Sequence, residues 1–241
     1  MDSTYHMQGH SAFGRISKVV FPADTVHSLP LPPCSVLLKG AFKLSKTKVG
    51  FAFTGSFCTF RKVFQVIEKM VAAGFEILPV LSFHTACEDT RFFAKETVFQ
   101  TLIELTGKTP LTTLAEVEPI GPKKLLDAYI IAPASGASMG KMAHGIFDTP
   151  ALLGAKSHLR NSRPVLVAPS TNDGLSTAAE NIGKILAMRN VYIVPFRQDD
   201  PVNKPRSVVA DFDKIPEALA AALAGEQAQP ILLAPLKKEE K

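Results

Sequence analysis

The sequence predicts a single α/β domain: a doubly wound, mostly parallel sheet of about six strands with helices on both faces. Short segments that are apolar throughout alternate with amphipathic helical patterns, which is typical of buried parallel strands joined by crossover helices. Glycines such as Gly74 and Gly107 separate these segments, as expected at helix ends. Because no linker divides two cores after residue 45, we expect one domain.

The first half of this domain begins with an apolar segment and continues with apolar residues at helical spacing, such as Val63, Ile67 and Met70. Gly74 and Gly107 are expected to end the two helices of this half. In chain order, the predicted segments are a strand at Lys48–Phe53, a helix at Phe60–Ala73, a strand at Phe75–Leu81, a polar loop at Ser82–Arg91, a helix at Ala94–Thr106 and a short strand at Leu111–Leu114.

The second half repeats the alternation, with each strand followed by a turn of small residues and then by a helical pattern. A polar, proline-containing stretch follows the last of these strands and is expected to be a long loop. In chain order, the predicted segments are a strand at Asp127–Ala132, a helix from about Ser138, a helix at Pro150–Leu159, a strand at Pro164–Ala168, a helix at Thr177–Arg189, a strand at Val191–Pro195, a loop at Phe196–Ser207 and a helix at Ile215–Leu223.

The two ends of the chain differ from the middle. Residues 1–44 are rich in proline and histidine and have no clear period, so we expect a poorly ordered extension. An over-extended reading frame that truly starts near Val36, or a targeting or docking arm, are the alternatives. The domain is expected to span residues 45–235, and residues 236–241 are a charged tail.

Composition excludes several classes of function. Most of the net charge of +5 lies in residues 1–48, so the domain is nearly neutral and a nucleic-acid-binding surface is not predicted. The three cysteines have no C-x-x-C spacing, and the histidines show no ligand spacing, so neither a disulfide framework nor a metal site is predicted. No apolar stretch approaches the roughly 18 residues that span a bilayer. We therefore expect a cytoplasmic protein.

Three predicted strands end in similar turns, at Thr54–Ser56, Pro133–Ser138 and Pro169–Asp173. Small residues let a ligand approach the backbone, while hydroxyls and free N–H groups bind anions, most often phosphates. Ordinary helix capping explains any one such turn. Because the carboxyl ends of parallel strands meet at one edge, three of them favour a shared nucleotide-type site. The glycine fingerprint of dinucleotide-binding folds and the Gly-Lys-Ser/Thr phosphate loop are both absent.

Several stretches resemble a known family. Thr54-Gly55-Ser56 and the segment 132–148 resemble the flavoprotein family, which includes flavin-dependent cysteine decarboxylases and flavin prenyltransferases. The segments 90–92, 121–127, 159–173 and 195–207 look like the branch of that family formed by the B subunits of dipicolinate synthases. The resemblance covers about residues 37–235.

The resemblance implies a flavodoxin-like or Rossmann-like flavoprotein fold that binds FMN or a related nucleotide. The phosphate would lie at Gly55 and Ser56, and the turn after Ala132 would line the opposite side. The implied cofactor-binding residues are Thr54, Gly55, Ser56, Ser82, Pro133, Ala134, Ser135, Gly136, Ser138, Met139, Ser170, Thr171 and Asn172.

The implied activity is the last step to dipicolinic acid in the mother cell during endospore formation. The implied partner is the A subunit of dipicolinate synthase, which resembles an NAD(P)-type dehydrogenase; NAD(P) could be bound there or be an alternative ligand here. Homo-oligomers are common in the family. The substrate would be a small dicarboxylate, and the basic candidates for binding it are Arg91, Lys204 and Arg206.

Two departures from the family pattern bear on the activity. Flavin-dependent decarboxylases carry a His shortly before the strand at Asp127–Ala132, where this chain has Glu118–Gly121, and they carry Asn at the position of Ala137. These departures favour an oxidoreductase subunit whose catalytic residues the sequence does not identify. A stand-alone FMN-dependent decarboxylase or prenyltransferase relative, and a non-catalytic partner that stabilises the dehydrogenase-like A subunit, are the alternatives.

Other charged side chains have simpler expected roles. Asp199 and Asp200 are expected to order their loop by pairing with Arg197 or Lys204. Arg197 replaces a glycine expected from the family and is interpreted as an exposed loop residue.

Three more side chains belong to types that often take part in chemistry. His158 is expected to lie at a helix end, where a positive charge is favoured. Cys58 is expected to be a small buried thiol, and His84 could reach the ligand face.

Overall fold

Seven strands form the sheet in this computed structural model, which describes residues 47–234. The predicted extension at 1–44 and the charged tail at 236–241 lie outside the described residues. The strands are β1 (Lys48–Phe53), β2 (Glu76–Leu81), β3 (Ala128–Ala134), β4 (Val165–Thr171), β5 (Val191–Ile193), β6 (Phe196–Asp200) and β7 (Lys204–Ala210).

Eight α-helices accompany these strands within the same range of residues. They are α1 (Phe60–Ala72), α2 (Phe83–Cys87), α3 (Lys95–Thr106), α4 (Leu114–Val117), α5 (Gly136–Ala143), α6 (Pro150–Leu159), α7 (Ala179–Leu186) and α8 (Ile215–Leu223). Short 3-10 helices lie at Phe57–Thr59, Glu118–Ile120 and Phe212–Lys214.

The parallel part of the sheet has the order β2-β1-β3-β4-β5. This is the strand order of flavodoxin-like folds, in which the direction of winding reverses between β1 and β3. Two antiparallel strands extend the sheet beyond this core: β7 pairs with the last two residues of β4, and β6 pairs with β7. The predicted doubly wound α/β class is therefore confirmed.

Helices cover both faces because successive residues of a strand point to opposite sides. On one face, Phe53 of β1 packs against Phe60 and Phe64 of α1, with ring centroids 5.1 and 5.6 Å apart. On the other face, Tyr129 of β3 packs against α6, where its hydroxyl donates to the carbonyl of Ala151 at 2.9 Å. The two packed layers bury both faces of the central strands, as their continuous apolar sequences predict.

Tyr129 fills a space that two glycines keep open. A Cβ added to Gly50 of β1 would lie 2.5 Å from the tyrosine ring, and one added to Gly154 of α6 would lie 2.4 Å from its hydroxyl oxygen. Burial raises the pKa of the phenol above its ordinary value, so the hydroxyl stays protonated and remains a donor. The contact fixes α6 against the middle of the sheet.

Several predicted segments are corrected. The segment 82–91 is not a continuous loop, because Phe83–Cys87 forms α2. The strand predicted at Leu111–Leu114 reduces to one bridge between Leu111 and Val80, and α4 begins at Leu114. The helices α2 and α4 are too short for a periodic pattern of apolar residues to predict them.

The loop predicted at Phe196–Ser207 is wrong: this stretch contains β6 and the first half of β7, joined by a tight turn at Pro201–Asn203. β4 also runs to Thr171, beyond its predicted end at Ala168, because Ser170 and Thr171 pair with β7. Pairing with a hairpin that the sequence pattern did not reveal therefore determines where β4 ends.

Among the residues described, no helix combines the length and apolar character that crossing a membrane requires.

Candidate functional site

The carboxyl ends of β1, β3 and β4 lie side by side, because these strands are consecutive neighbours in the parallel sheet. The winding direction reverses between β1 and β3, which is where open α/β sheets bind their ligands. The three hydroxyl-bearing turns predicted from the sequence follow these strand ends. They are joined to one another by hydrogen bonds.

Thr54 connects the first turn to the second. Its hydroxyl donates to the carbonyl of Pro133 at 2.7 Å and accepts from the N–H of Ser135 at 2.9 Å. The side chain is buried, so both bonds form away from water. Thr54 therefore holds the β1 and β3 turns in a fixed relation, and its hydroxyl is engaged with the protein backbone.

Ser56 connects the first turn to the third. Its hydroxyl donates to the carbonyl of Ser170 at 2.5 Å. The 3-10 helix Phe57–Thr59 begins directly afterwards, and the first N–H groups of a helix have no partner within it. Gly55, which lies between Thr54 and Ser56, is exposed. A Cβ added to Gly55 would meet only the Phe57 ring, at 4.0 Å.

The second turn leads into α5 through a capped start. The Ser135 hydroxyl accepts from the N–H of Ser138 at 3.3 Å, and the two hydroxyls lie 3.0 Å apart. Gly136 allows this turn to approach β4 closely: an added Cβ would lie 2.6 Å from Thr171 Oγ1. The same turn places Ala134 and Met139 in the buried core.

Ser82 follows β2 and lies next to the β1 end. Its N–H donates to the carbonyl of Phe53 at 3.0 Å, and its hydroxyl is 2.9 Å from that of Thr85. Both polar groups are buried and satisfied. Ser82 thus continues the edge formed by the three turns, while its hydroxyl is used within α2.

A hollow of about 390 Å³ lies where the third turn meets the hairpin of β6 and β7, and it is lined by Asn172, Lys204, Pro205 and Arg206. It brings a predicted cofactor-binding residue together with two predicted substrate-binding residues. Its volume lies at the small end of the range typical of ligand pockets. Of the two cationic side chains, Lys204 pairs with Asp199 at 2.8 Å, so it is Arg206 that makes this wall of the site basic.

Comparison with known proteins identifies the family to which the chain belongs. The model of the flavoprotein family matches residues 41–223. The chain belongs to the flavoprotein family.

Two relatives match over most of the chain. The B subunit of dipicolinate synthase from Bacillus subtilis is 40% identical over 190 residues, which cover 79% of this chain and 95% of that protein. The crystal structure of the dipicolinate synthase B subunit from Bacillus halodurans is 38% identical, with a TM-score of 0.74 over 80% of this chain and 99% of that one.

A more distant likeness shows the fold alone. The FMN-dependent cysteine decarboxylase SpaF is 19% identical, with a TM-score of 0.53 over 75% of this chain and 95% of that one. The family model and the two dipicolinate synthase B subunits, which match most of the chain, confirm the predicted resemblance.

Three other residues that the sequence singles out, Arg91, His84 and Ala137, are exposed. Arg91 is exposed and lies over the ring of Phe92, 4.8 Å from its centroid. His84 pairs with Glu88 at 2.6 Å on the exposed side of α2. Ala137, where flavin-dependent decarboxylases carry Asn, is exposed on the first turn of α5.

The hairpin uses its charges differently from the prediction. Lys204 pairs with Asp199 at 2.8 Å as expected, and this carboxylate raises the pKa of Lys204 above its ordinary value. Arg197 is not an exposed loop residue: only 14% of its side chain is exposed, and it pairs with Asp211, which precedes the Phe212–Lys214 helix. The pair ties β6 to the segment before α8.

Two further interpretations are wrong. Cys58 is exposed rather than buried. His158 is buried in α6, with no hydrogen-bond partner at Nε2 among the described residues. Burial and the nearby Arg163 lower its pKa to about 4, so it is neutral and cannot act as a charged helix cap.

The structure adds two residues to those predicted to bind the cofactor or the substrate. Pro205 lines the hollow, and Asp173 accepts a hydrogen bond from the hydroxyl of Thr171. Asp173 directly follows a predicted site residue, which is a signal that was present in the sequence. Pro205 required knowledge of the hairpin. Across residues 47–234, no group of three or more His, Cys, Asp or Glu side chains could hold a metal ion.

Proposed function

We propose that this chain is the flavin-binding B subunit of a dipicolinate synthase. In this proposal it acts with the NAD(P)-type A subunit, called the dehydrogenase partner below, in the mother-cell cytoplasm during endospore formation. The 40% identity to the Bacillus subtilis protein, over 95% of its length, supports the assignment. The observation that carries the chemistry is the convergence of three hydroxyl-bearing turns beside a basic hollow.

FMN is the cofactor that we propose for the turn site, and the family supports a flavin rather than a nicotinamide on this chain. The open space at Gly55, called the phosphate cradle below, fits a phosphate. It is followed by the backbone N–H groups at the start of the Phe57–Thr59 helix, which can donate to an anion. The hydroxyls of Thr54 and Ser56 already donate to backbone carbonyls. We therefore assign the phosphate contacts to backbone N–H groups and give those two side chains the role of fixing the turns.

The remaining predicted residues would border the flavin ring and ribityl chain. The second turn would form one border with Ser135, Gly136 and Ser138, behind which Pro133, Ala134 and Met139 are buried. Ser170, Thr171 and Asn172 would form the other border. The exposed methyl group of Ala137 would lie at the flavin edge in place of an amide. Flavin-dependent cysteine decarboxylases carry Asn at this position, so its absence speaks against decarboxylation of a cysteine substrate.

The proposed reaction oxidises a non-aromatic ring. Dihydrodipicolinate loses a hydride and a proton to become the pyridine ring of dipicolinic acid, and a hydroxylated tetrahydro substrate also loses water. A bound flavin supplies a hydride acceptor for this step. The chain's own contribution would be to bind the substrate carboxylates at the basic hollow and to keep the ring oriented against the cofactor site.

Co-expression with the dehydrogenase partner tests the proposal. The two chains together should restore dipicolinate synthesis to a spore former that lacks its own synthase, and purified protein should carry visible flavin absorbance. The dehydrogenase partner expressed alone is the matched control. Absence of product from the pair, with both chains expressed, would contradict the proposal.

A non-catalytic role is the second candidate, and Ala137 is the observation that favours it, because it removes a polar group from the proposed flavin edge. In that case the dehydrogenase partner would still require this chain, while the purified complex would contain no flavin. The mass of the complex in solution tests the expected homo-oligomer in the same preparation.

A further inference from the structure

Arg206 differs from the other cationic side chain of the hollow. Lys204 lies 2.8 Å from Asp199, so its charge is balanced within the hairpin. The Arg206 guanidinium instead lies 3.4 Å from the hydroxyl of Ser176, a weak and uncharged partner. Within residues 47–234 it forms no ion pair, so this exposed guanidinium has donors left for a ligand.

The backbone of Arg206 is nevertheless held in place. Its carbonyl accepts from the N–H of Leu175 at 2.9 Å, which joins β7 to the turn after β4. Alternation along the strand places Arg206 on the same face as Val208. Val208 lies against Gly174, where an added Cβ would come within 2.2 Å of it. Arg206 therefore faces the β4 turn from a fixed strand.

The other lining residues suit a flat ring that carries a carboxylate. Asn172 is exposed at the end of the third turn, and its amide offers two donors. Pro205 separates Lys204 from Arg206 in the sequence and adds an apolar ring without an N–H donor to the lining. An arginine beside an amide suits a carboxylate, because the guanidinium fork binds both oxygens at once.

We propose that this hollow is a carboxylate subsite in which Arg206 binds one carboxylate of a small dicarboxylate, assisted by the Asn172 amide. Lys204 is assigned a different role: with Asp199 it orders the hairpin that carries Arg206. The identity of the dicarboxylate rests on the proposed function. The subsite itself rests on the charge, shape and partners of these four residues.

Ligand binding by purified protein tests this subsite. Dipicolinate, with two carboxylates, and picolinate, with one, are titrated by calorimetry into the chain loaded with FMN and in complex with the dehydrogenase partner. Arg206→Gln should weaken dipicolinate binding by about 10- to 100-fold, as expected for the loss of a charge-assisted hydrogen-bonded pair. It should also reduce the preference for dipicolinate over picolinate.

Two matched variants sharpen the result. Arg189→Gln makes the same change of charge at an exposed arginine that follows α7 and precedes β5, away from the carboxyl ends of the strands, and should leave dipicolinate binding unchanged. Arg206→Lys keeps the charge but loses the fork, and should retain only part of the affinity. Circular dichroism of each variant reports that the fold is retained.

Several results would overturn the subsite. They are equal dipicolinate binding by wild type and Arg206→Gln, an equal loss in Arg189→Gln, or no binding by wild type at millimolar dipicolinate in either preparation. Failure of the proposed function is distinguishable, because the two chains together would then make no product while Arg206→Gln still lost affinity for dipicolinate.

Discussion

Two glycines at neighbouring strand ends serve different purposes. At Gly55, an added Cβ would have only the Phe57 ring within 4.0 Å, so the protein itself does not require a glycine. At Gly136, an added Cβ would lie 2.6 Å from Thr171 Oγ1 and 2.9 Å from Asp173 Oδ1. The space at Gly55 is therefore available to a ligand, whereas the space at Gly136 is occupied by the β4 turn.

This contrast gives a prediction at the scale of single residues. Gly55→Val should reduce flavin affinity by about tenfold or more, because its side chain fills the proposed phosphate cradle, and should change the free energy of unfolding by less than about 0.5 kcal/mol. Gly136→Ala should instead destabilise the fold by about 1–3 kcal/mol through overpacking. Flavin absorbance and urea unfolding measure the two effects. Unchanged flavin binding by Gly55→Val would remove this turn from the site.

The hairpin of β6 and β7 is the element that completes the candidate site, and it is anchored at its base. Arg197 of β6 pairs with Asp211, and both side chains are mostly removed from solvent. A second ion pair, Lys69 with Asp213, lies nearby in sequence but is well exposed, at 66% and 74% of the two side chains. The two pairs should therefore differ in their contribution to stability.

We expect Arg197→Gln to lower the free energy of unfolding by about 1–3 kcal/mol, because it leaves the Asp211 carboxylate partly buried without its partner. Lys69→Gln, the matched control, should cost less than about 1 kcal/mol, since exposed pairs are screened by water and salt. Urea denaturation of both variants measures the difference. Similar costs for the two variants would show that the hairpin is not anchored by Arg197.

The hairpin is also the part of the fold that the sequence did not predict. Helix α8 was predicted with its observed bounds because its apolar face repeats at a helical period. The hairpin carries prolines and charges and has no buried alternating face of its own over residues 199–206. Its two strands pair with each other and reach β4 only at Val208 and Val209, so most of the hairpin is not buried and leaves little trace in the apolar pattern of the sequence. The convergence of the three turns was predictable, since topology places all parallel strand ends at one edge.

At the scale of the whole molecule, acid stability depends on a buried imidazole. The α6 helix is buried along most of its length, and His158 is 1% exposed near its end. Sequence reasoning gave His158 a charged role at the helix end, because a helix that is buried almost all round has no polar face from which to judge orientation. Its pKa is lowered to about 4, so protonation is unfavourable in the folded protein.

The direction of the pH dependence follows from linkage. An unfolded histidine, with a pKa of 6.5, binds a proton that the folded protein excludes, so His158 costs stability as the pH falls from about 6.5 to about 4. The free energy of unfolding lost through His158 over this pH range should be about 3 kcal/mol. Urea unfolding at neutral and acidic pH should therefore show a smaller pH difference for His158→Gln than for wild type. His144→Gln, which removes an exposed imidazole, should keep the wild-type difference; an equal pH difference in wild type and His158→Gln would contradict the assignment.

The contact of Tyr129 with Gly50 and Gly154 has a consequence for how this sequence can diverge. The Tyr129 ring occupies the space next to Gly50 in β1 and Gly154 in α6 that larger residues at those positions would fill. A methyl group gained at either glycine is incompatible with the ring, and loss of the ring leaves a void that both glycines are too small to fill. The three positions are therefore expected to change together across descendants of this protein, or not at all.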